Sequence, residues 1–118
     1  MNQEEKKLVL KDLCSRLLYK VKVCLFEKET CILLGIDGYE VYLDVDSDSF
    51  HIESIKPYLR PMSSMTEEEN LMYEGLMIGT DNVSYMLDVI DWLNAHHFDY
   101  RGLIEKGLAI EAPEGMYK

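Results

Sequence analysis

Apolar and polar side chains alternate over residues 20–25 and 39–45, and this pattern constrains the fold of the chain more than any other feature. A period of two is typical of a strand that buries one face. Between these segments lies a β-branched, apolar stretch, residues 30–36, followed by Asp37-Gly38. Asp-Gly favours a two-residue hairpin, because a type I′ turn needs positive φ at both central positions. The region therefore predicts a meander of antiparallel strands.

Two tight turns set the predicted register of this meander. A loop at Asp37-Gly38 pairs Leu34 with Val41, and a turn at Glu27-Lys28 pairs Val23 with Ile32. One face is then uniformly apolar, as a buried sheet face requires. That face comprises Val21, Val23, Leu25, Ile32, Leu34, Ile36, Tyr39, Val41 and Leu43. The opposite face is mixed, and we expect another element to cover part of it.

A helix is predicted before the sheet, over residues 3–19. Asn2 and Glu5 have the spacing of a capping box at its start. Apolar residues recur every three or four positions and predict one buried stripe. The stripe comprises Leu10, Leu13, Cys14, Leu17 and Leu18, with Asp12 on another face.

Short strands and a second helix are predicted after the meander. Residues 50–52 suit a short strand, and residues 58–61 suit an edge strand, where proline is tolerated. Ser64 with Glu67, and Thr66 with Glu69, both match the capping box. They predict a helix that begins near residue 66, runs to about residue 73 and ends near Gly75.

The C-terminal third is predicted to be mainly helical. Asp81 or Ser84 begins its longest helix, which runs to about His96 and has apolar residues on two adjacent faces, so we expect it to be largely buried. Asp99 can cap a short helix over residues 100–106. Gly107 then stands where a glycine commonly ends a helix.

These elements predict an α+β fold with an N-terminal helix, a small curled antiparallel sheet and a C-terminal helical layer. By strand count the sheet resembles a small SH3-like barrel, and an open curled sheet fits equally well. Residues 1–61 would form the helix and sheet, and residues 62–118 a helical segment packed on them. The two parts are expected to make one compact domain.

Charge bears on the classes of partner. The 118 residues carry 12 basic and 22 acidic groups, a net charge of −10. Residues 1–28 hold seven basic and four acidic groups, and the rest hold five basic and eighteen acidic groups. A protein that binds a phosphate backbone needs a basic footprint, so direct nucleic-acid binding is not expected. An acidic surface that mimics nucleic acid toward a basic protein stays open.

Cysteine usage and hydropathy bear on location. Cys14, Cys24 and Cys31 are odd in number and form no C-x-x-C pair. No apolar run approaches the roughly 18 residues of a membrane span. The N-terminus also lacks the apolar segment of a secretory signal. We therefore expect a reduced, cytoplasmic, soluble protein without membrane contact.

The region from residue 91 to residue 117 has the side chains of a functional site. His96, His97 and Asp99 are metal-ligand types, but adjacent helical residues project about 100° apart, and helical zinc pairs are spaced i, i+4. We therefore expect a helix end, and keep these three residues as the metal candidates. The interaction candidates are Trp92, His97, Tyr100 and Arg101. No catalytic residue and no cofactor is expected.

Two segments support a resemblance. IKPYLRPMSSMTEEE, residues 55–69, and DWLNAHHFDYRGLIEKGLAIEAPEGMY, residues 91–117, resemble a recurrent family of small uncharacterised proteins of gut anaerobic bacteria, often encoded by prophages or mobile elements. The resemblance implies a bacterial or phage origin and an accessory role. It assigns no function to any residue.

The leading functional hypothesis is a non-enzymatic protein-interaction module, in which the partner is another protein. It follows from the observation that caps, turns and core positions account for nearly every conspicuous residue. One alternative is a metal-dependent or other small enzyme centred on His96, His97 and Asp99. The other is an acidic nucleic-acid mimic.

Overall fold

The computed structural model describes residues 1–45, 47–78 and 83–117, apart from the side chains of Ser84 and Tyr85. It confirms the α+β fold with a helix before the sheet and helices after it. The elements in chain order are α1 (Gln3–Arg16), β1 (Lys22–Leu25), β2 (Glu29–Asp37), β3 (Glu40–Leu43), β4 (Ser49–His51), β5 (Ile55–Leu59), α2 (Glu67–Met77), α3 (Val83–Ala95) and β6 (Ile110–Glu111). Short 3₁₀ turns cover Leu17–Tyr19, Ile52–Ser54 and Met62–Ser64.

The six strands form an open sheet in the order β4-β3-β2-β1-β5-β6. Neighbouring strands are antiparallel except for β5 and β6, which are parallel. The sheet is therefore mixed, not purely antiparallel, and of the two predicted forms it is the open one. β5 contains Pro57 and begins three residues before the predicted edge strand. It lies between β1 and β6, so it is not an edge strand.

α1 begins at the predicted capping box. The Glu5 N–H donates to Asn2 Oδ1 at 2.8 Å, and the Asn2 N–H donates to Glu5 Oε1 at 3.0 Å. The predicted buried stripe is correct in part: Leu13 is buried and Leu10 and Leu17 pack against the core, but Cys14 is exposed and Leu18 is 88% exposed. The helix also buries Val9, Asp12 and Arg16, which were not predicted. Asp12 and Arg16 neutralise each other, and this pairing allows a charged turn of the helix to enter the core.

The register of β2 differs from the prediction at its first hairpin. Leu25 pairs with Glu29, so three residues connect β1 to β2 where two were expected. An extra residue turns every β2 side chain to the other face. Cys31 and Leu33 are buried, and Leu34 is 61% exposed.

A β-bulge restores the pattern before the second hairpin. Leu33 pairs with Leu43 and Gly35 with Tyr42, so the unpaired Leu34 is the extra residue. Beyond the bulge Ile36 packs against the core, as predicted, but it pairs with Val41, for which Leu34 was the predicted partner. The hairpin loop itself is Gly38-Tyr39, shifted by one residue from Asp37-Gly38, with Gly38 at a φ of +61°.

Two hydrophobic clusters of different size support the described chain. The large cluster joins α1, the sheet and the segment between α3 and β6, through Val9, Leu13, Val21, Val23, Leu25, Cys31, Leu33, Val41, Leu43, Ile52, Ile55, Leu59, Leu103, Leu108 and Ala109. The small cluster lies at α3 and comprises only Val89, Leu93 and Phe98. α2 has no buried residue, and only its partly buried side chains such as Tyr73 and Leu76 reach the small cluster.

The helix ends follow local signals in part. Thr66 and Glu69 form the capping box of α2, as predicted, but the helix continues through Gly75 to Met77. α3 begins at Val83, and the alternative start at Asp81 lies outside the described residues. Within the described ranges, no helix combines the length and apolarity needed to cross a bilayer.

Candidate functional site

The end of α3 brings the predicted site residues together. The Phe98 N–H donates to Leu93 O at 2.9 Å, and the His97 N–H donates to Asn94 O at 3.1 Å. These two bonds are those of a Schellman motif, in which the residue after the helix adopts a left-handed conformation and is usually glycine. His97 has that conformation, with a φ of +63°. A large titratable side chain, that of His97, therefore occupies a position at which glycine is usual.

The ring of His97 is buried against the C-terminal segment. It stacks on Tyr117, with ring centroids 3.7 Å apart and planes inclined by 17°. Burial lowers the pKa of His97 to about 4, and the nearby Arg16 charge adds to the effect. Its Nδ1 atom has no hydrogen-bond partner among the described residues. His97 is therefore a neutral packing residue at neutral pH.

Tyr117 fastens the C-terminal segment to the sheet. Its hydroxyl donates to Tyr58 O at 2.7 Å and accepts the Lys22 N–H at 2.9 Å. Burial raises the pKa of Tyr117 to about 12. The His97 and Tyr117 pair thus joins the end of α3 to strands β1 and β5.

A buried charge network joins the same corner to α1. Arg16 donates to both carboxylate oxygens of Asp12, at 2.8 and 3.1 Å, and to Phe98 O at 2.7 Å. Arg101 donates to Asp12 Oδ1 at 3.2 Å and to the Tyr100 hydroxyl at 3.2 Å. Two of the predicted interaction residues, Tyr100 and Arg101, therefore have partners within the protein.

Trp92 lies in a stack of rings between α2 and α3. Its centroid is 4.3 Å from that of His96, 5.8 Å from that of Phe98 and 6.2 Å from that of Tyr73. The Arg60 guanidinium lies 4.2 Å above the Phe98 ring. Trp92, the remaining interaction candidate, is half-buried in this stack.

The three metal candidates are close in sequence but engaged separately. His96 Nδ1 lies 2.9 Å from Trp92 O. The two carboxylate oxygens of Asp99 accept the N–H groups of Leu103 and Ile104, each at 2.9 Å. The predicted capping role of Asp99 is thus present, but the predicted helix over residues 100–106 is wrong, because residues 103–107 form turns and not a regular helix. Among the described residues, no three His, Cys, Asp or Glu side chains are grouped to hold a metal ion.

Two clefts open on the described surface. One of about 300 Å³ lies beside the first hairpin, between Phe26, Glu53 and Lys56. The other, of about 610 Å³, lies between Arg60, Glu111 and Tyr117. In the second cleft the Arg60 guanidinium is already paired with Glu69, at 2.6 and 2.7 Å. Arg60 therefore serves there as a structural residue.

An exposed apolar stripe on α3 is the feature that sequence reasoning missed. Val83, Met86, Leu87 and Ile90 follow the spacing i, i+3, i+4, i+7 and are all exposed, Val83 by 73% and Leu87 by 57%. We call these four residues the α3 stripe. The helix was expected to be largely buried, and that expectation is wrong because the small cluster covers only the face of Val89 and Leu93. The spacing of the stripe was the available signal, since a 13-residue helix with two apolar faces needs two partners.

α2 adds more exposed apolar surface in an acidic setting. Leu71, Met72, Met77 and Ile78 are exposed, Ile78 by 86%. The sequence has no lysine or arginine between Arg60 and Arg101. The exposed carboxylates on the two helices are Glu67, Glu68, Glu74, Asp88 and Asp91. The α2–α3 pair is therefore apolar and acidic, and it differs in charge from residues 1–28, where basic groups outnumber acidic ones.

Comparisons with protein-family models, curated proteins and solved structures return no match.

Proposed function

We propose that the protein is a non-enzymatic protein-interaction module whose contact surface is the α2–α3 pair. The observation that carries this proposal is the α3 stripe. Isolated exposed apolar residues are common, whereas a stripe at helical spacing is the pattern by which helices pack on a partner.

Energetics favour coverage of this surface. Each Å² of apolar surface removed from water contributes roughly 25 cal/mol. The α3 stripe and the exposed side chains of α2 provide eight large apolar residues within two helices. A partner that covers them would gain several kcal/mol before the costs of association.

The contacts of His97 and Arg101 within the protein, at the end of α3, support the same proposal. His97 joins the end of α3 to the sheet through Tyr117, and Arg101 joins the same end to α1 through Asp12. A rigid attachment of α3 would present the α3 stripe in a fixed orientation, which lowers the entropic cost of binding.

The SH3-like comparison and the bacterial origin are part of the same proposal. The five strands β1–β5, with a 3₁₀ turn before β5, support the SH3-like comparison made from strand count. In that comparison, the α2–α3 pair is a surface added to the sheet. The bacterial or prophage origin and the accessory role are proposed with it, on the resemblance of residues 55–69 and 91–117. The cytoplasmic location is proposed on the odd number of cysteines and the absence of a C-x-x-C pair.

Site-specific photocrosslinking in the native host tests the proposal. A photoreactive phenylalanine analogue replaces Leu87 in one protein and Leu18 in a control; Leu18 is equally apolar and 88% exposed. We expect a discrete adduct of fixed stoichiometry from position 87 only, lost when Ile90→Gln is added. The same adducts from both positions, or none from position 87, would contradict the proposal.

A further inference from the structure

We propose that the α3 stripe binds a basic amphipathic helix of a partner protein. This inference rests on the interaction function proposed above and specifies the chemistry of the partner. It follows from three properties of the surface, which are its spacing, its charge and its methionine content.

Spacing indicates a helical partner. Val83 and Leu87 are four residues apart, as are Met86 and Ile90, so the α3 stripe is a straight seam two turns long. Helices pack on such a seam through apolar side chains of the same period. A partner with an i, i+3, i+4, i+7 apolar face would match it turn for turn.

Charge indicates that the partner helix is basic. Asp91 is exposed one turn after Leu87 and flanks the α3 stripe, and Glu67, Glu68 and Glu74 are exposed on the neighbouring helix α2. No basic side chain between Arg60 and Arg101 offsets them. Lysine or arginine beside the apolar face of the partner would therefore be attracted to this surface.

The same charges argue against a second copy of this chain as the occupant. If two α3 stripes packed on each other, two surfaces of the same sign would face each other, because Asp91 flanks the stripe in each copy and neither α2 nor α3 carries a lysine or arginine. Like charges across an interface oppose association. The complementary occupant is thus a different helix, of opposite charge.

Methionine content indicates that the surface can adapt to its partner. Met72, Met77 and Met86 are all exposed on the α2–α3 pair. Methionine side chains are flexible and polarizable, so they adapt to differently shaped apolar faces. The surface would therefore accept several basic amphipathic sequences, which allows the use of generic peptide probes.

Fluorescence anisotropy with labelled peptides tests the inference. The probe is a Leu/Lys peptide of about 18 residues, or five helical turns, with leucine at i, i+3, i+4 and i+7. A Leu/Glu peptide with the same pattern and a scrambled Leu/Lys peptide are the controls. We expect the amphipathic Leu/Lys peptide to bind at least about tenfold more tightly than either control, since both apolar register and charge contribute.

Two protein variants locate the binding site. Leu87→Gln keeps a good helix former and removes an apolar side chain from the α3 stripe, whereas Leu18→Gln removes an even more exposed leucine elsewhere. We expect about tenfold weaker peptide binding for the first variant and no change for the second. Circular dichroism checks that both variants melt as the parent does. Raising the salt concentration should weaken binding of the Leu/Lys peptide, because the flanking charges are exposed.

Four outcomes would overturn the inference. Equal binding of the Leu/Lys and Leu/Glu peptides, lost in Leu87→Gln, would remove the basic partner but keep an interaction surface. Peptide binding unaffected by Leu87→Gln, or no peptide binding, would contradict a helical partner on the α3 stripe. The photocrosslinking result would still decide the proposed interaction function. A dimer in light scattering that Leu87→Gln dissociates would assign the α3 stripe to self-association.

Discussion

At the residue scale, the first hairpin holds two residues in a conformation that favours glycine. Phe26 and Glu27 have φ values of +52° and +61°. The Lys28 N–H donates to Leu25 O at 3.0 Å and closes the turn. A side chain at positive φ is disfavoured for most residues other than glycine, asparagine and aspartate. The turn is therefore maintained by strand pairing on both sides, at a cost in stability.

Replacing Glu27 by glycine should relieve this cost. We expect Glu27→Gly to increase the free energy of unfolding by about 0.5–1 kcal/mol, since glycine adopts positive φ without strain. Urea denaturation measures the change. The matched control is Glu74→Gly, at an exposed position within α2, which should decrease the free energy of unfolding by about 1 kcal/mol. A decrease for both variants would contradict the role given to the turn.

His97 should make stability depend on pH. Its pKa is about 4 in the folded protein and near 6.5 in the unfolded chain. The unfolded state therefore binds more protons between these values, and stability falls as pH decreases from 6.5 to 4. We expect a loss of up to about 3 kcal/mol over this interval, measured by urea denaturation at successive pH values.

His97→Asn isolates this contribution. Asparagine tolerates positive φ but does not titrate. The variant should lose most of the slope between pH 6.5 and 4, whereas His51→Asn, at an exposed histidine, should keep it. An unchanged slope in His97→Asn would show that another group is responsible.

At the scale of elements, one ion pair attaches α2 to the end of β5. Arg60 donates to both oxygens of Glu69, at 2.7 and 2.6 Å, and lowers the pKa of Glu69 to about 2. Glu69 also accepts the Thr66 N–H at 2.9 Å, so the same carboxylate caps the helix. α2 contributes no buried residue, and this anchor therefore matters more than an ordinary surface ion pair.

Glu69→Gln should destabilise the protein by about 1–2 kcal/mol at pH 7, because a bidentate, charge-assisted contact becomes a neutral one. Glu68→Gln, an adjacent exposed position, should be close to neutral. Thermal unfolding of the two variants and the parent protein measures both changes in stability. The folded-state pKa of Glu69 is lowered, so its stabilisation is complete above about pH 4.5 and is lost as pH falls toward 2. The two variants should therefore converge near pH 2.

Local sequence signals were sufficient to predict most helices and strands. The register of β2 could not be predicted, because it depends on features without a local signal. The caps at Asn2, Thr66 and Asp99 involve backbone groups only a few residues away, so a short sequence pattern determines them. The face that β2 buries depends on a three-residue connection and on a bulge at Leu34, and neither has a specific sequence signal here. The burial of Asp12 and Arg16 was missed although they are four residues apart, because their further partners are distant in sequence: Phe98 O lies 82 residues from Arg16, and Arg101 lies 89 residues from Asp12.

The candidate site shows the same division. Trp92, His97, Tyr100 and Arg101 were recognised as unusual by residue type, and the structure does bring them to one corner. Their partners, such as Tyr117 and Asp12, lie in distant segments that the sequence does not connect. The exposure of the α3 stripe depends on how much apolar surface the rest of the chain supplies, which no local pattern records.

At the scale of the whole molecule, stability should be distributed unevenly. Among the described residues, fifteen buried ones form the large cluster, and three form the small one that α3 shares with α2. Segments with few buried contacts open at lower free energy than the core does. The α2–α3 pair should therefore open while the sheet stays intact.

Native-state hydrogen exchange tests this expectation. We expect amides of α2 to exchange with an opening free energy at least about 2 kcal/mol below that of amides in β1 and β2. A basic amphipathic peptide bound to the α3 stripe should reduce this difference in opening free energy, since it adds contacts to the α2–α3 pair. Equal protection of α2 and β1 without peptide would contradict the uneven distribution.

Leu34 illustrates how a position can matter through its backbone alone. Its side chain extends into solvent, so many substitutions there should be harmless. Its place in the chain, however, is what returns Ile36 to the interior after the odd-numbered connection at residues 26–28. If Leu34 were deleted, the apolar side chains of β2 before and after this position would point to opposite faces of the sheet, so one of the two sets would be exposed. In any homologue, insertions and deletions between the two hairpins should therefore occur in compensating pairs, even where side chains diverge freely.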